Sequence, residues 1–358
     1  MKINDRIKER LNEILKESLI EYGIMLKDNG NIEPQYPLRE IMKKIVLKKN
    51  GYVDISLRKY FASEKDIDVE KIKPRLIYFD SKDKLHNKIF SAATKSWSTP
   101  VSSGYGRRMR FLVWDDGNDK LIGIIGLCDP VIGLNVRDNY IGWNKETKEK
   151  RLYNVLTAYI LGSVYPYNEL LGAKLVALLA TSKEVTDKFR EKYEGRVTHI
   201  RKERKIPELV MIDTMGAFGK SSIYNKLKGW KFIGYTKGQT HYHLSTNGFY
   251  EEAEKILKEI NHPIIFSYKY GNGPNWKIRV IKEVLAIIGL KEEKILTLGT
   301  KRAYYIAPLI KNWREFLNGQ TDKVERTEKT SEELFEYWKK RWFPKGKKRF
   351  KKLLEKGD

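Results

Sequence analysis

Two runs, RRMRFLVWDD and LIGIIGLCDP, separated only by GNDK, limit what this chain can fold into more than any other feature. Both are apolar and rich in β-branched and aromatic residues, and turn formers lie between them. Residues 107–130 are therefore expected to form a β-hairpin. NYIGWN reads as a third extended piece. RLYNVLTAYILGSVYP is apolar but leaves its type open, and NELLGAKLVALLATSKEVTDKFREKYEG carries Leu170, Leu171, Leu175, Leu178 and Leu179 in one helical stripe. ELVMIDTM then reads as a short buried strand ending in a carboxylate, SSIYNKLK as a helix with a serine cap, and GWKFIGYT as a last strand. Hairpin, strand, helix, strand, helix, strand is an α/β or α+β layer arrangement.

Before the hairpin the periodicity is helical. Ile7, Leu11, Ile14, Leu15, Leu19 and Ile20 place an amphipathic helix over residues 5–26, and LREIMKKIVLKK supplies a second helix after the break at DNGNIEPQYP. The N-terminal segment fits a small winged-helix module or a plain helical cap. The expected division is a helical N-terminal module over 1–80, an α/β core over 81–248 and a basic C-terminal region with a tail over 249–358. A chain of 358 residues is long enough for such a division.

Charge points to the partner. Lys and Arg number 70 against 46 Asp and Glu, a net +24, with the densest run at the C-terminus. Unequal signs favour a phosphate-bearing partner over a merely solvated basic surface, and an anionic membrane is the weaker fit. The single cysteine, Cys128, excludes an intrachain disulfide framework and a multi-cysteine zinc site, and its tract GIIGLCDP suits a small buried residue. MKINDRIKERLNEILKES is too charged for a signal peptide, and no apolar run approaches ~18 residues, so a cytoplasmic chain with no membrane span is expected.

The tract 208–236 resembles the late strands of GNAT-superfamily acyltransferases, with Tyr224 in the intervening helix, Gly229-Trp230 at the turn and the strand GWKFIGYT expected to return beside ELVMID. A longer set of pieces is similar, in order, to the Druantia anti-phage DruA family: FLVW, LIGIIGL, RDNYIGW, VYPYNELLG, IDTMGAFGKSSIYNKLKGWKFIGYTKG, YGNGPNWKIRVIKEVLAIIGL and APLIKNWREFLNG. That resemblance covers roughly residues 90 to 345. It implies a GNAT-like core, a role in phage defence or a mobile element, and a helicase or transposase-like partner. The chain departs from the family in reading Ile212-Asp213-Thr214 where many members have Glu-Thr-Phe, and AYILGSVYP where an Arg-Phe-Leu segment is common.

Each candidate site has a structural alternative. Asp213 is expected at a strand end, with Thr214, Ser221 and Tyr224 nearby, as a general base or metal ligand with a tyrosine proton donor; the alternative is a helix cap and a core aromatic. His241 and His243, two apart on a strand, would face one way and suit phosphate or base contacts, or a plain surface, better than a metal. The glycine-rich loop before Trp276, Lys277 and Arg279 suits a phosphate at a helix N-terminus, with Trp276 stacking on a base; the alternative is a turn and a capped helix with Trp276 in the core. Lys339, Lys340, Arg341, Lys347 and Lys348 lie in the basic tail YWKKRWFPKGKKRFKKLL, expected to track the backbone of DNA, or of RNA, as an arm disordered when free. YPYNELLGAKL offers one glycine, Gly172, and no basic residue before the helix, so acetyl-CoA transfer is the weakest reading. Two classes remain: an enzyme that modifies or processes DNA, and a non-catalytic DNA-binding subunit. Strandedness and cofactor are open.

Overall fold

A computed structural model describes residues 3–49, 54–102, 104–198, 202–237, 239–267, 276–298 and 301–355. The chain forms two compact units, one of Met1–Tyr52, Trp97–Pro100 and Lys237–Lys301, the other of Val53–Ser96, Val101–Thr236 and Arg302–Asp358. These limits differ from the divisions at residues 80 and 248 expected from sequence.

The larger unit is an α+β layer structure on one seven-stranded mixed sheet. Its strands are β1 (Pro74–Phe79), β2 (Arg108–Asp115), β3 (Lys120–Cys128), β4 (Val155–Ser163), β5 (Met211–Gly216), β6 (Lys231–Lys237) and β7 (Lys301–Pro308). Their order is β1-β2-β3-β4-β5-β7-β6. The expected hairpin is β2–β3, antiparallel, with Phe111 opposite Ile125. β4 and β5 are parallel, joined by the helices Gly172–Leu179 and Lys183–Tyr193. β7 runs antiparallel to β5, with Ile306 opposite Asp213.

Alternation along the strands makes two cores. Phe111, Ile125, Leu156, Ile212 and Tyr305 face a layer that includes Leu175, Leu179, Phe189, Trp338, Trp342 and Phe350. Val155, Met211, Tyr304 and Ile306 face the opposite way, onto Ile141, Phe316 and Leu317.

Four local expectations change. NYIGWN is not extended: Asn135–Ile141 is a helix closed by Gly142 at φ 87°. The Leu-striped helix is two helices, because Ser182 takes an extended backbone and starts the second. SSIYNKLK forms turns, with Lys226 at φ 58°. The strand β6 does not return beside β5, since β7 lies between them.

In the smaller unit the first helix, Asp5–Glu21, is capped by Asn4 and stops before Gly23 at φ 69°, short of the expected residue 26. It buries Leu11, Leu15 and Leu19 and packs on Phe249–Glu259, which in turn packs on Trp276–Ile287. Leu38–Lys49 is the expected second helix. Among the described residues, no helix is long and apolar enough to cross a membrane.

Candidate functional site

Asp213 occupies the last paired position of β5 against β4, opposite Thr157; beyond it the two parallel strands part. Open α/β sheets place ligand sites where parallel strands diverge. Asp213 is 1% exposed. Its carboxylate accepts from the Thr157 hydroxyl, and from the Tyr304 hydroxyl at 2.7 Å. The guanidinium of Arg137, fully buried, reaches to 3.9 Å.

Arg137 comes from the unexpected helix Asn135–Ile141. It is fixed by donating to the carbonyls of Val131 (2.9 Å) and Ile132 (3.1 Å) and to Asp138 (2.9 Å). Lys148 lies 3.0 Å from the other oxygen of Asp138. Two cations thus face two carboxyl groups, and a proton taken up by Asp213 leaves the group with a net positive charge. Burial raises Asp213 above the usual carboxylate range, against the pull of Arg137 and the two hydroxyls. Burial and the adjacent Asp213 charge push the Tyr304 hydroxyl well above its ordinary value. Chemically this is a carboxyl able to hold a proton, with a tyrosine fixed as donor.

Thr214 points to the other face of the sheet, where its hydroxyl donates to the Ala158 carbonyl at 2.9 Å. Tyr224 is on that face too, its ring 4.8 Å from Trp230 and 4.9 Å from Tyr305; burial pushes its hydroxyl up to about 12. Ser221 donates its backbone N–H to the Tyr305 hydroxyl at 2.8 Å, and its own hydroxyl accepts from Ile223. The structure gathers Ser221 and Tyr224 around Tyr305, near Thr214, and leaves Asp213 on the reverse side with Tyr304.

Lys174, 7% exposed, explains why residues 221–228 are not helical. Its ammonium donates to the carbonyls of Ser222 (2.7 Å), Ile223 (2.8 Å) and Asn225 (3.1 Å) and sits 4.2 Å from the centre of the Trp342 ring. Burial lowers it to about 8. Gly172, on the same helix, approaches the Tyr167 carbonyl so closely that a Cβ would lie 2.6 Å from that oxygen. Its missing side chain serves this packing, which leaves no pyrophosphate cradle attributable to it.

The histidines sit in the smaller unit, and not on a strand. His243 lies in the short helix Tyr242–Ser245, fully buried, its Nε2 3.0 Å from the Ile295 carbonyl and its Nδ1 without a partner among the described residues. His241 precedes that helix with Nδ1 2.8 Å from the Ser245 hydroxyl. Burial lowers both to about 4, so both are neutral at pH 7. Trp276 begins the helix Trp276–Ile287 with its ring 5.3 Å from that of Tyr250. Lys277 pairs with Glu251 at 2.9 Å, and Arg279 is partly buried on the same helix. The glycine-rich loop before it, residues 270–275, falls outside the described residues. Among the described residues, no cluster of three or more His, Cys, Asp and Glu is arranged to hold a metal ion.

The C-terminal tail is an ordered helix pair, in place of the expected disordered arm. Ser331–Arg341 starts with a capping box of Thr330 and Glu333, and Phe343–Leu354 follows. Trp338, Trp342, Phe343 and Phe350 are buried. The Trp338 indole donates to the Leu171 carbonyl at 3.2 Å, and Gly346 lets the second helix approach Leu170 so closely that a Cβ would meet its carbonyl oxygen at 2.3 Å. The opposite faces carry Lys339, Lys340, Arg341, Lys345, Lys347, Lys348, Arg349, Lys351 and Lys352, all exposed. Lys347 pairs with Glu70 and Arg349 with Glu169. Among the described residues, Lys340, Lys345, Lys348, Lys351 and Lys352 have no carboxylate within ion-pair distance.

Sequence reasoning missed Arg137, Thr157, Tyr304 and Lys174. The tandem tyrosines of RAYYIAP carried a signal, since on a strand they must face opposite ways, one to Asp213 and one to Ser221.

A profile of the family described as Druantia protein DruA matches residues 35–319. A curated Druantia protein DruA from Escherichia coli (strain UMEA 4076-1) is 35% identical over 340 residues, covering 90% of this chain and 83% of that protein. No solved structure matches significantly.

Proposed function

The chain belongs to the DruA family, and from that premise we propose that it is a nucleic-acid-binding component of an anti-phage defence system. It holds the phosphate backbone of DNA, or of RNA, on its C-terminal helix pair, and works in the cytoplasm alongside other proteins of the system, a helicase or transposase-like partner among them. The observation that carries this reading is the division of the helix Phe343–Leu354 into two faces. Its apolar side is spent on the core, while Lys345, Lys348, Lys351 and Lys352 stay exposed without acidic partners among the described residues. A rigid row of cations is suited to phosphates, which position a nucleic acid without reading its sequence.

Replacing these four lysines with Gln tests it. The slope of log affinity against log salt on a DNA duplex is expected to fall by about 0.9 for each phosphate that is no longer neutralised, with stability unchanged within about 0.5 kcal/mol. An unchanged slope would overturn the reading.

A second reading, an enzyme that modifies or processes DNA through a GNAT-like site, is favoured by one observation: Asp213, raised and paired with Tyr304 and Arg137, stands where β4 and β5 part. On that reading Asp213→Asn binds DNA normally yet abolishes protection against phage at normal protein levels. On the binding-subunit reading protection survives. Gly172, closed against Tyr167, weighs against a CoA-dependent acyltransferase.

A further inference from the structure

We propose that the chain carries a second phosphate-binding surface, on Lys188, Lys192 and Arg196 at the β1 edge of the sheet, which grips the phosphodiester backbone of the same nucleic acid. The inference rests on the nucleic-acid reading above and extends it to a part of the molecule distant in sequence from the tail.

Lys188 and Lys192 are spaced i, i+4 and so share one side of the helix Lys183–Tyr193, and Arg196, past the turn at Gly195 (φ 67°), comes close enough to act on Lys192. They gather over two tyrosines. Lys188 and Lys192 have their ammonium groups 4.7 and 5.2 Å from the centre of the Tyr78 ring, near the end of β1, and the Arg196 guanidinium lies 5.8 Å from the Tyr193 ring. Lys192 is fixed by donating to the Tyr78 hydroxyl and to the Arg108 carbonyl, each at 2.7 Å. Arg110, opposite Phe79 on the neighbouring strand, adds to the same positive field.

Like charges at i, i+4 repel, so gathering them costs stability unless something offsets it. The helix C-terminus offsets part of the cost, because its dipole favours cations in the last turn. That account covers Lys192 but not Arg196, which lies beyond the last helical residue, Tyr193. Neighbouring carboxylates offset another part: Glu191 pairs with Lys188 at 2.6 Å, and Asp80 acts on Lys192 from a greater distance. Among the described residues, neither Lys192 nor Arg196 has a carboxylate within ion-pair distance. The two ammonium groups rest against the Tyr78 ring, with Lys188 and Lys192 half-buried, and the Arg196 side chain beside them is exposed, so the positive field opens to solvent at Arg196, an arrangement suited to a polyanion.

The test compares two variants with the parent chain and with the tail variant described above. Lys192→Gln with Arg196→Gln removes the two unpaired charges. Because Lys192 also anchors Tyr78, Arg196→Glu serves as the second variant, altering an exposed side chain alone. Affinity for a mixed-sequence DNA duplex is measured across a salt series, and folding is checked by thermal unfolding. The double variant should lower the salt slope by about 0.9 per phosphate released, with the affinity loss uniform across sequences. Arg196→Glu should weaken binding at low salt, by about tenfold for a 1.4 kcal/mol loss, with unchanged melting. If both variants keep the parent's slope and affinity while the tail variant loses them, this second surface is overturned and the tail reading stands. If the parent chain fails to bind DNA or RNA even at low salt, both fall together.

Discussion

The Asp213 cluster and the C-terminal helix pair use the same residue types in opposite ways. Around Asp213, Arg137, Asp138 and Lys148 are drawn together until charge and hydrogen bonding close on themselves, with Arg137 fully buried. On the helix Phe343–Leu354 the cations are held apart on a surface, and the packing beneath them is apolar. Charge that is internally satisfied costs dearly to disturb and offers little to a partner, whereas unsatisfied exposed charge costs little to remove and is available. Burial and pairing therefore separate a structural charge from an available one here better than residue type does.

The largest effect should come from opening the closed cluster. Arg137→Met leaves Asp213 and Asp138 without their buried counter-charge, and the loss of stability should be about 3–5 kcal/mol by urea unfolding. A loss as small as that of a surface lysine would abolish the contrast.

An intermediate effect tests the packing beneath the basic face. In an exposed helix Gly→Ala normally stabilises by roughly 1 kcal/mol. At Gly346 the added Cβ would meet the Leu170 carbonyl at 2.3 Å, so Gly346→Ala should instead destabilise by about 1–3 kcal/mol. Thermal unfolding distinguishes the two signs.

The smallest effect sharpens the meaning of Asp213. Asp213→Asn keeps size and removes charge, and at pH 7 should cost no more than about 1–2 kcal/mol. Its pH dependence is more telling. Burial raises the folded-state value of Asp213, so the stability linked to its protonation is fully present below the unfolded value of about 3.9 and is lost as pH rises through the folded one. The wild type should accordingly gain on the Asn variant as pH falls through that window. A difference that stays flat, or narrows, would show that Arg137 holds the carboxylate charged.

Much of the fold was legible. The hairpin β2–β3, the helix Leu38–Lys49 and the strand carrying Asp213 follow from local periodicity, because their apolar residues alternate or recur without competing signals. What was not legible depends on partners far along the chain. SSIYNKLK has helical spacing, yet Lys174, roughly fifty positions earlier, gathers three of its carbonyls. NYIGWN has a strand's composition, but the Asp138 beside Arg137 accepts from the Leu134 N–H and pairs with Lys148, organising a helix there. Asp213 was found as a buried strand-end carboxylate. Its grouping with Tyr224 assumed one face, whereas consecutive strand positions put Asp213 and Thr214 on opposite faces, so that Asp213 meets Tyr304 and Thr214 meets Ala158.

The interposition of β7 between β5 and β6 has a consequence for how the protein is made. β6 has β7 as its sheet neighbour, yet residues 238–300 must be synthesised before β7 emerges from the ribosome. Throughout that interval β5 keeps an unpaired edge and β6 lacks its native neighbour, the kind of edge that recruits the wrong strand, from this chain or another. A nascent chain stalled before residue 308 would thus hold a five-stranded sheet with a sticky rim. Folding of this unit during translation should therefore depend on how well that rim is shielded until β7 is free to pair.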